Sequence, residues 1–461
     1  MSDLDAEARA RLAAAVPAHV RHVCRVLTKA GFQAVTVGGA VRDALLGRAP
    51  GDWDVATSAA PEQVLASFPH TIPTGLQHGT VTVVTGRGVE SHVEVTTFRG
   101  EGAYSDARRP DSVRFGVPLD EDLARRDLVV NAIAYDPETG ELHDPFGGRA
   151  DLAAKRLRAV GSAVERFTED GLRVMRAVRF AAQLEFELDP ATEAGIAPAL
   201  PSLAKVSRER VSDELRKILA ARQPSRALAI ARRTGIVRTV LPELDVRLDE
   251  ARRASSDDTG RAIASPGSAG ARSDAERRDG SIDEAAWLAR VDRAGEAVRL
   301  PALLVPLGAS SELDPRHVDR EVVRRVLAIG RALKLSNVEC DLAAQLVGVV
   351  HAERVAAWEP ADVRRLLAEL DRDKRGHAAA LWANAELVTE ARRILAAGEP
   401  LAVSDLAVDG KELMTALDLR PGPAIGRILA MLLERVLEDP ARNTRDQLLR
   451  EAQALELEVG R

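Results

Sequence analysis

The chain predicts an α+β fold in which a sheet-bearing head precedes a long all-helical remainder. Three observations carry this expectation. Period-2 alternation is confined to the first third, where Gly79–Val84 (GTVTVV) and His92–Thr97 (HVEVTT) read as strands. From Leu152 the alternation stops and helical periodicity takes over. Aromatic residues make up only 3% of a chain that is 46% apolar, so Ala and Leu fill the interior, which favours helix. At 461 residues, two or more domains are expected.

Composition narrows the setting. Cys24 and Cys340 cannot build a disulfide framework and lack metal-site spacing, which fits a reducing cytoplasm. No run of about 18 apolar residues occurs, and Met1–Glu7 is too acidic for a secretory signal, so no membrane partner and a cytoplasmic location are expected. The net charge of −6 argues against nucleic acid only if the basic residues are dispersed. Only seven of the 64 basic residues are Lys, and Arg makes planar, bidentate contacts to phosphates and base edges.

Taken in order, Leu4–Gly31 reads as one amphipathic helix, with Leu12, Val16, Val20, Val23 and Leu27 on its apolar face. Ala34–Val37 is a short strand that breaks at Gly38-Gly39, and a helix-compatible segment, Ala40–Leu46, follows. Paired glycines admit close backbone approach, and a helix start offers free N–H groups and a positive dipole end to phosphate. Arg42 adds a cation within the first turn. Asp52 and Asp54 stand two apart on an extended segment, so their side chains share one face. Two such carboxylates can ligate a pair of divalent ions about 3.5–4 Å apart, the geometry that activates a hydroxyl and holds a leaving pyrophosphate.

Pro61–Phe68 reads as a short helix. Glu94, in HVEVTT, lies on the face opposite its flanking valines, so it is either solvent-facing or a third acid of the site. Phe98–Val117 is polar and rich in Gly and Arg, a long loop of the kind that carries function or is disordered. Leu123–Asp136 contains Arg126, Asp127 and Asn131; Asp144–Asp151 is a turn.

Ala163–Leu184 forms a helical segment with Leu172, Met175, Val178 and Ala182 on one face. Arg173, Arg176 and Arg179 recur at three-residue steps, with Glu169 and Asp170 one turn before them. This is how a solvated, salt-bridged face looks. It is also how a Watson–Crick edge can be imitated. A carboxylate accepts from an exocyclic amino group while Arg donates to a ring nitrogen or carbonyl, and C and A share that donor–acceptor order. Ala251–Ser281 is rich in Ser, Gly, Asp and Arg and reads as a disordered insertion, residues 251–281. Leu401–Asn443 holds PGPAIG, a Gly-rich turn opening a helix, suited to an RNA phosphate or to packing.

The combination strand–GG–x–x–R–D–helix–DxD resembles motif A of the class II tRNA nucleotidyltransferases, the CCA-adding enzymes and their bacterial poly(A) polymerase relatives. RRDxxxNA at Arg125–Ala132 resembles motif B, which implies that Arg126 contacts the triphosphate, Asn131 orders the site and Asp127 partners nearby arginines. EVTTFR implies that Glu94 completes the carboxylate set. DPFGGRAD resembles motif C, and EDxxR resembles motif D, implying base recognition by Asp170 and Arg173 beside Glu169, with Arg176 and Arg179 reaching the triphosphate. Ser207–Leu219 resembles motif E, which braces the neck, and the C-terminal segment resembles the tail that grips tRNA.

The resemblance implies a mixed, mainly antiparallel sheet in a catalytic head (1–155). An all-α neck that recognises the base (156–225), a body (226–400) and a tRNA-binding tail (401–461) follow. It implies template-independent CCA addition to the tRNA 3′ end from CTP and ATP, with two Mg²⁺ ions on Asp52 and Asp54. Gly38, Gly39, Arg42 and Arg126 would cradle phosphates. The full-length loop at Phe98–Val117 disfavours a CC-adding enzyme. An A-adding enzyme or a poly(A) polymerase would share every motif, although Thr71–Thr80 looks CCA-type. The reading from another class is an RNA-binding protein with a lapsed head, against which the intact carboxylates argue. The absence of HxxxH or paired His-Asp spacing in the helical part implies no added phosphohydrolase domain.

Overall fold

The computed structural model describes residues 3–101, 113–262, 283–309, 313–355 and 357–459. The chain divides into two units, residues 1–240 and 241–461. The first unit opens with two helices, α1 (Asp3–Ala15) and α2 (Ala18–Lys29), where apolar periodicity had suggested one. Pro17, extended at φ −64° and ψ 152°, divides them. Proline lacks the N–H that a continuous helix would use, and it disfavours helical geometry in the residue before it. Val20, Val23, Cys24 and Leu27 form the buried stripe of α2.

The head follows as β1 (Ala34–Val37), α3 (Gly39–Leu45), β2 (Asp54–Thr57), α4 (Pro61–Ser67), β3 (Thr71–Gly75), β4 (Thr80–Val84) and β5 (His92–Thr97). Next come β6 (Arg99–Glu101), β7 (Val113–Phe115), α5 (Leu119–Ala124), β8 (Ala134–Tyr135) and β9 (Leu142–His143). Seven strands form one sheet in the order β3-β4-β5-β2-β1-β8-β9. Only β2 and β5 run parallel, so the sheet is mixed and mainly antiparallel, as expected. β1 is buried along its whole length, and a core of Val35, Val37, Phe98, Leu123 and Val129 packs on the sheet. The stems of the loop expected at Phe98–Val117 are paired as an antiparallel ribbon of β6 and β7. Its residues 102–112 lie outside the described residues.

Helices dominate the remainder of this unit: α6 (Gly148–Ala153), then β10 (Arg156–Leu157), α7 (Ala163–Glu169), α8 (Leu172–Leu184) and β11 (Glu187–Leu188). After them come α9 (Pro190–Ala194), α10 (Ile196–Leu203), α11 (Arg208–Leu219), α12 (Pro224–Arg233) and α13 (Ile236–Val240). The helix expected over Ala163–Leu184 is broken at Asp170-Gly171. Asp170 is extended at φ −134° and ψ 105°, and Gly171 abuts the backbone of α10, where a Cβ would fall 2.3 Å from Leu203 N.

The second unit is all helix in its regular elements: α14 (Pro242–Ala262), α15 (Glu284–Arg293), α16 (Arg299–Leu304), α17 (Pro306–Ala309), α18 (Arg320–Ala332) and α19 (Asn337–Val347). It continues through α20 (Pro360–Ala368), α21 (Arg375–Leu381), α22 (Ala385–Ala397), α23 (Gly410–Leu417), α24 (Pro423–Glu438) and α25 (Arg445–Val459). The expected disordered insertion 251–281 is corrected over its first part. Residues 251–262 continue α14, whose Leu244, Leu248 and Ala251 are buried at helical steps; 263–281 lie outside the described residues. The PGPAIG turn opens α24 as expected, and Arg364 donates to Leu437 O and Glu438 O at its other end. A guanidinium on terminal carbonyls satisfies acceptors that the helix leaves free. Leu413, Ile428, Leu432, Val436 and Leu448 form the core shared by α23, α24 and α25.

Candidate active site

Two strands and one turn place the acids. β2 pairs with β5 in parallel register, Val55 beside Val95, and both valines are buried. The preceding residues, Asp54 and Glu94, therefore stand side by side on the opposite face of the sheet. Asp52 is exposed, and Trp53 between it and Asp54 is buried, so the two aspartates share that face. Burial and the neighbouring Glu94 push the Asp54 carboxyl up to about 6; Arg126 opposes this and Asp52 adds to it. Like charges are thus gathered, and among the described residues the Arg126 guanidinium offsets them. Among the described residues, no three His, Cys, Asp or Glu side chains form a ready cation cage.

The turn between β1 and α3 lies against this group. Gly38 has φ 80° and ψ −138°, a conformation closed to side chains other than glycine, and a Cβ there would lie 3.1 Å from Arg126 Nη1. Arg126 is held by the Asn131 carbonyl (3.4 Å) and by Asp122 (3.6 Å), and its Nε is buried without a hydrogen-bond partner among the described residues. Arg42, on α3, is buried and already engaged. It donates to Asn131 Oδ1 at 2.6 Å and grips both carboxylate oxygens of Asp43.

From there a network of charges crosses to α8. Asp127 accepts from Asn131 Nδ2 at 3.1 Å, through Oδ1, and from Arg176 Nε at 2.7 Å, through Oδ2. Burial alone would raise its pKa. The Arg176 charge, the Asn131 amide and Arg173 outweigh that effect and hold the carboxyl far below the ordinary range. Arg42, Arg176 and Arg179 surround the Phe180 ring at 5.0, 5.5 and 4.2 Å from its centroid, a distance at which each guanidinium is attracted to the ring face. Arg179 Nε lies 2.7 Å from Glu214 Oε2 on α11 without hydrogen-bond alignment, so the contact is one of charge. The arginine stripe is therefore not a solvated face: Arg173 and Arg179 are buried.

At the helix break, Glu169 accepts from Arg166 (2.8 Å) and Arg173 (2.6 Å). Arg173 N donates to the Asp170 carbonyl at 2.9 Å, and the Asp170 carboxylate accepts from Leu172 N at 3.0 Å and from Arg210 Nη2 at 2.8 Å. The fields of Asp170 on Arg176 and of Arg173 on Asp127 tie this corner to the rest.

The structure thus brings together Asp52, Asp54 and Glu94 with Gly38 and Arg126. It joins Arg42 and Asn131 to Arg176 and Arg179, and it sets Glu169, Asp170 and Arg173 at the adjoining helix break. Gly39 lies nearest Arg42, at 3.7 Å from a built Cβ. Sequence reading left out Phe180, Glu214 and Arg210. Phe180 carried a weak signal, as one of eight Phe in the chain, set directly after Arg179. Arg210 and Glu214, four apart on α11, look like an ordinary intrahelical pair.

Three family models match the chain: the poly A polymerase head domain over residues 34–158, the probable RNA- and SrmB-binding site of polymerase A over 185–248, and the putative tRNA nucleotidyltransferase domain 2 over 318–452. The chain is 33% identical over 438 residues to a CCA-adding enzyme of Lactococcus lactis subsp. cremoris, covering 95% of this chain and 96% of that protein. It is 50% identical over 215 residues to the CCA-adding enzyme of Geobacillus stearothermophilus, 46% of this chain and 52% of that one. In fold it is similar to the crystal structure of the Bacillus stearothermophilus CCA-adding enzyme in complex with CTP, with a TM-score of 0.64, 31% identity and coverage of 95% and 97% of the two chains. The Thermotoga maritima CCA-adding enzyme complexed with tRNA shares the fold at a TM-score of 0.60 and 18% identity, covering 94% of each chain.

Proposed function

Because the chain belongs to the class II tRNA nucleotidyltransferase family of CCA-adding enzymes and poly(A) polymerases, we propose that it adds C, C and A to tRNA 3′ ends. It does so without a nucleic-acid template, from CTP and ATP, releasing pyrophosphate. The observation that carries this reading is the single network of charges running from Asp54 through Arg126, Asn131 and Asp127 to Arg176 and the Asp170 corner. It links acids suited to phosphoryl chemistry with a carboxylate and guanidinium suited to reading a base.

Asp52 and Asp54 would hold the divalent cations, with Glu94 as the third acid. The fit rests on Asp54, whose carboxylate is strained by burial and by two like-charged neighbours, a strain that a cation relieves. Mg²⁺ suits such a place because it takes one or two carboxylates plus substrate phosphates rather than an all-protein cage. When bound, it supplies Lewis acidity to the 3′-hydroxyl and charge neutralisation to the triphosphate. The chain's own groups do the rest. Gly38 and Gly39 let phosphate approach the backbone; Arg42, Arg126, Arg176 and Arg179 set a positive field for it; and Asn131 fixes Arg42 and Arg126. Asp170 accepts from the amino group of C or A while Arg173, steadied by Glu169, donates to the neighbouring acceptor. In this reading residues 1–155 form the catalytic head, 156–225 the base-reading neck, 226–400 the body and 401–461 the tRNA-binding tail. A cytoplasmic location suits such a substrate. No described helix is long and apolar enough to cross a membrane.

Labelled CTP or ATP, supplied separately to tRNAs lacking CCA, ending in CC or ending in CCA, tests the function. CMP should enter the tRNA lacking all three residues, AMP only the tRNA ending in CC, and neither the completed end. AMP incorporation without CMP would make the chain an A-adding enzyme, and long A tails would make it a polymerase. Binding without incorporation would leave an RNA-binding protein.

Gly171→Ala tests the helix break. Its Cβ would meet the α10 backbone at 2.3–2.4 Å, which no side-chain rotation relieves. Overpacking of this kind costs about 1–3 kcal/mol, and the strain falls on the peptide next to Asp170. A lower melting temperature and weaker incorporation of both C and A are expected; wild-type values for both would show that α10 yields.

A further inference from the structure

Three guanidinium ions crowd a place where like charges should part. Arg176 stands one turn before Phe180 on α8, the spacing that brings helical side chains together, and Arg179 precedes Phe180 directly. Arg42 reaches the same ring from α3. Their Cζ atoms lie 5.5, 4.2 and 5.0 Å from the ring centroid, and Phe180 is itself buried. Each arginine also has a carboxylate: Asp127 for Arg176, Glu214 for Arg179 and Asp43 for Arg42. Burial, with the charges of Arg176 and Arg42, nevertheless pulls the Arg179 guanidinium below its ordinary range against Glu214 and Asp127. The three cations thus repel one another in a poorly solvated corner. Their carboxylates lie on α3, on the segment after α5 and on α11, so these anchors draw them toward different elements. The phenyl ring is the neighbour they share.

We propose that Phe180 is a positioning residue for the triphosphate, its ring holding Arg42, Arg176 and Arg179 together before the nucleotide arrives. This rests on the reading that these arginines face the triphosphate. The face of a phenyl ring is negative, so it attracts a cation without neutralising it. A guanidinium stacked on such a face keeps its in-plane N–H donors for oxygen. A further carboxylate in the same place would accept those N–H groups and cancel the charge that a phosphate needs. Arg176 shows the outcome: it gives Nε to Asp127 at 2.7 Å, and 34% of its side chain stays exposed. An aliphatic residue at position 180 fills the volume but lets repulsion spread the cations. The loss then falls on binding of the phosphate chain in ground and transition states alike, and so on KM rather than kcat. Nucleotide and pyrophosphate should weaken together, whatever the base, which a packing role alone would not produce.

The test uses the full chain with Phe180→Leu and, separately, with trifluorophenylalanine installed at position 180, whose fluorines drain the ring face of negative charge while nearly keeping its shape. The readouts are kcat and KM for CTP and ATP, KM for tRNA, the inhibition constant of inorganic pyrophosphate and the melting temperature. Phe180→Leu should raise both nucleotide KM values and the pyrophosphate constant about tenfold, the scale of one desolvated cation–ring contact. The tRNA KM should not move, and kcat should change far less than KM. The fluorinated ring should shift the same constants in the same direction by a smaller factor. Wild-type constants with the fluorinated ring would make Phe180 a packing residue and overturn the proposal. So would a loss in Phe180→Leu confined to kcat and melting temperature. Arg176→Gln and Arg179→Gln separate the proposal from the reading beneath it. If these weaken pyrophosphate inhibition while the changes at Phe180 do not, the proposal fails and the triphosphate reading stands. If pyrophosphate inhibits both as strongly as wild type, the triphosphate reading fails and takes the proposal with it. Should Phe180→Leu not fold, the fluorinated ring alone decides.

Discussion

Asp52→Asn and Asp54→Asn should each lower nucleotide incorporation by about three orders of magnitude, the scale of several kcal/mol of lost charge stabilisation. The fold should survive both. The reason lies in the apo electrostatics. Asp54 carries an unfavourable charge, half-buried and set beside Glu94 and Asp52 with Arg126 as its opposing cation. The isosteric amide keeps its shape while removing one of three mutually repelling carboxylates. Melting temperatures measured in chelator should therefore be no lower than wild type, and for Asp54→Asn higher. A site built for stability would behave in the opposite way. Ordinary turnover by either variant would remove the assignment of these aspartates to phosphoryl transfer. A lower melting temperature with chelator present would show that the acids hold the fold rather than the substrate.

The parts of this site that were legible in the sequence are those built from local pattern. The strand β1, its break at Gly38 and the helix after it follow from composition over a dozen residues, and the shared face of Asp52 and Asp54 follows from the two-residue period. That Glu94, exposed on β5, stands beside Asp54 follows only from pairing, since β2 lies 40 residues away in sequence. Pairing also explains the strands that went unnoticed. β8, β9, β10 and β11 have two residues each, too few to carry a period, and exist because a partner strand supplies their hydrogen bonds. Two helices read as continuous were divided, by Pro17 and by the Asp170-Gly171 step, because apolar periodicity persists across a break that the backbone makes. The arginines of α8 were the hardest to read. Spacing alone gives them a solvated face, whereas their counter-charges come from Asp127, 49 residues before Arg176, and Glu214, 35 residues after Arg179.

The Asp127 carboxylate shows what that burial costs to disturb. Asp127→Asn should destabilise the chain by about 2–3 kcal/mol, less than the loss of a fully buried partner because Arg176 keeps 34% of its side chain exposed. Arg176 would lose its nearest counter-charge, leaving the more distant Glu214 and Asp170 to balance it beside Arg42 and Arg179 around one phenyl ring. The amide keeps one acceptor oxygen, so either Arg176 Nε or the Asn131 amide, which holds Arg42, loses its hydrogen bond. The sign with pH is fixed by the same contacts. The carboxyl is held far below the ordinary range in the folded chain, despite burial, whereas in the unfolded chain it titrates near 3.9. Its stabilisation is therefore complete above about pH 4 and declines as pH falls further, because the unfolded chain takes up the proton first. Chemical denaturation at neutral pH and at successively lower pH separates the two chains: wild type should lose stability more steeply below pH 4 than Asp127→Asn. Parallel slopes, or a variant as stable as wild type at pH 7, would mean that the arginines of α8 find their balance elsewhere and that Asp127 is not the counter-ion that holds them in place for a triphosphate.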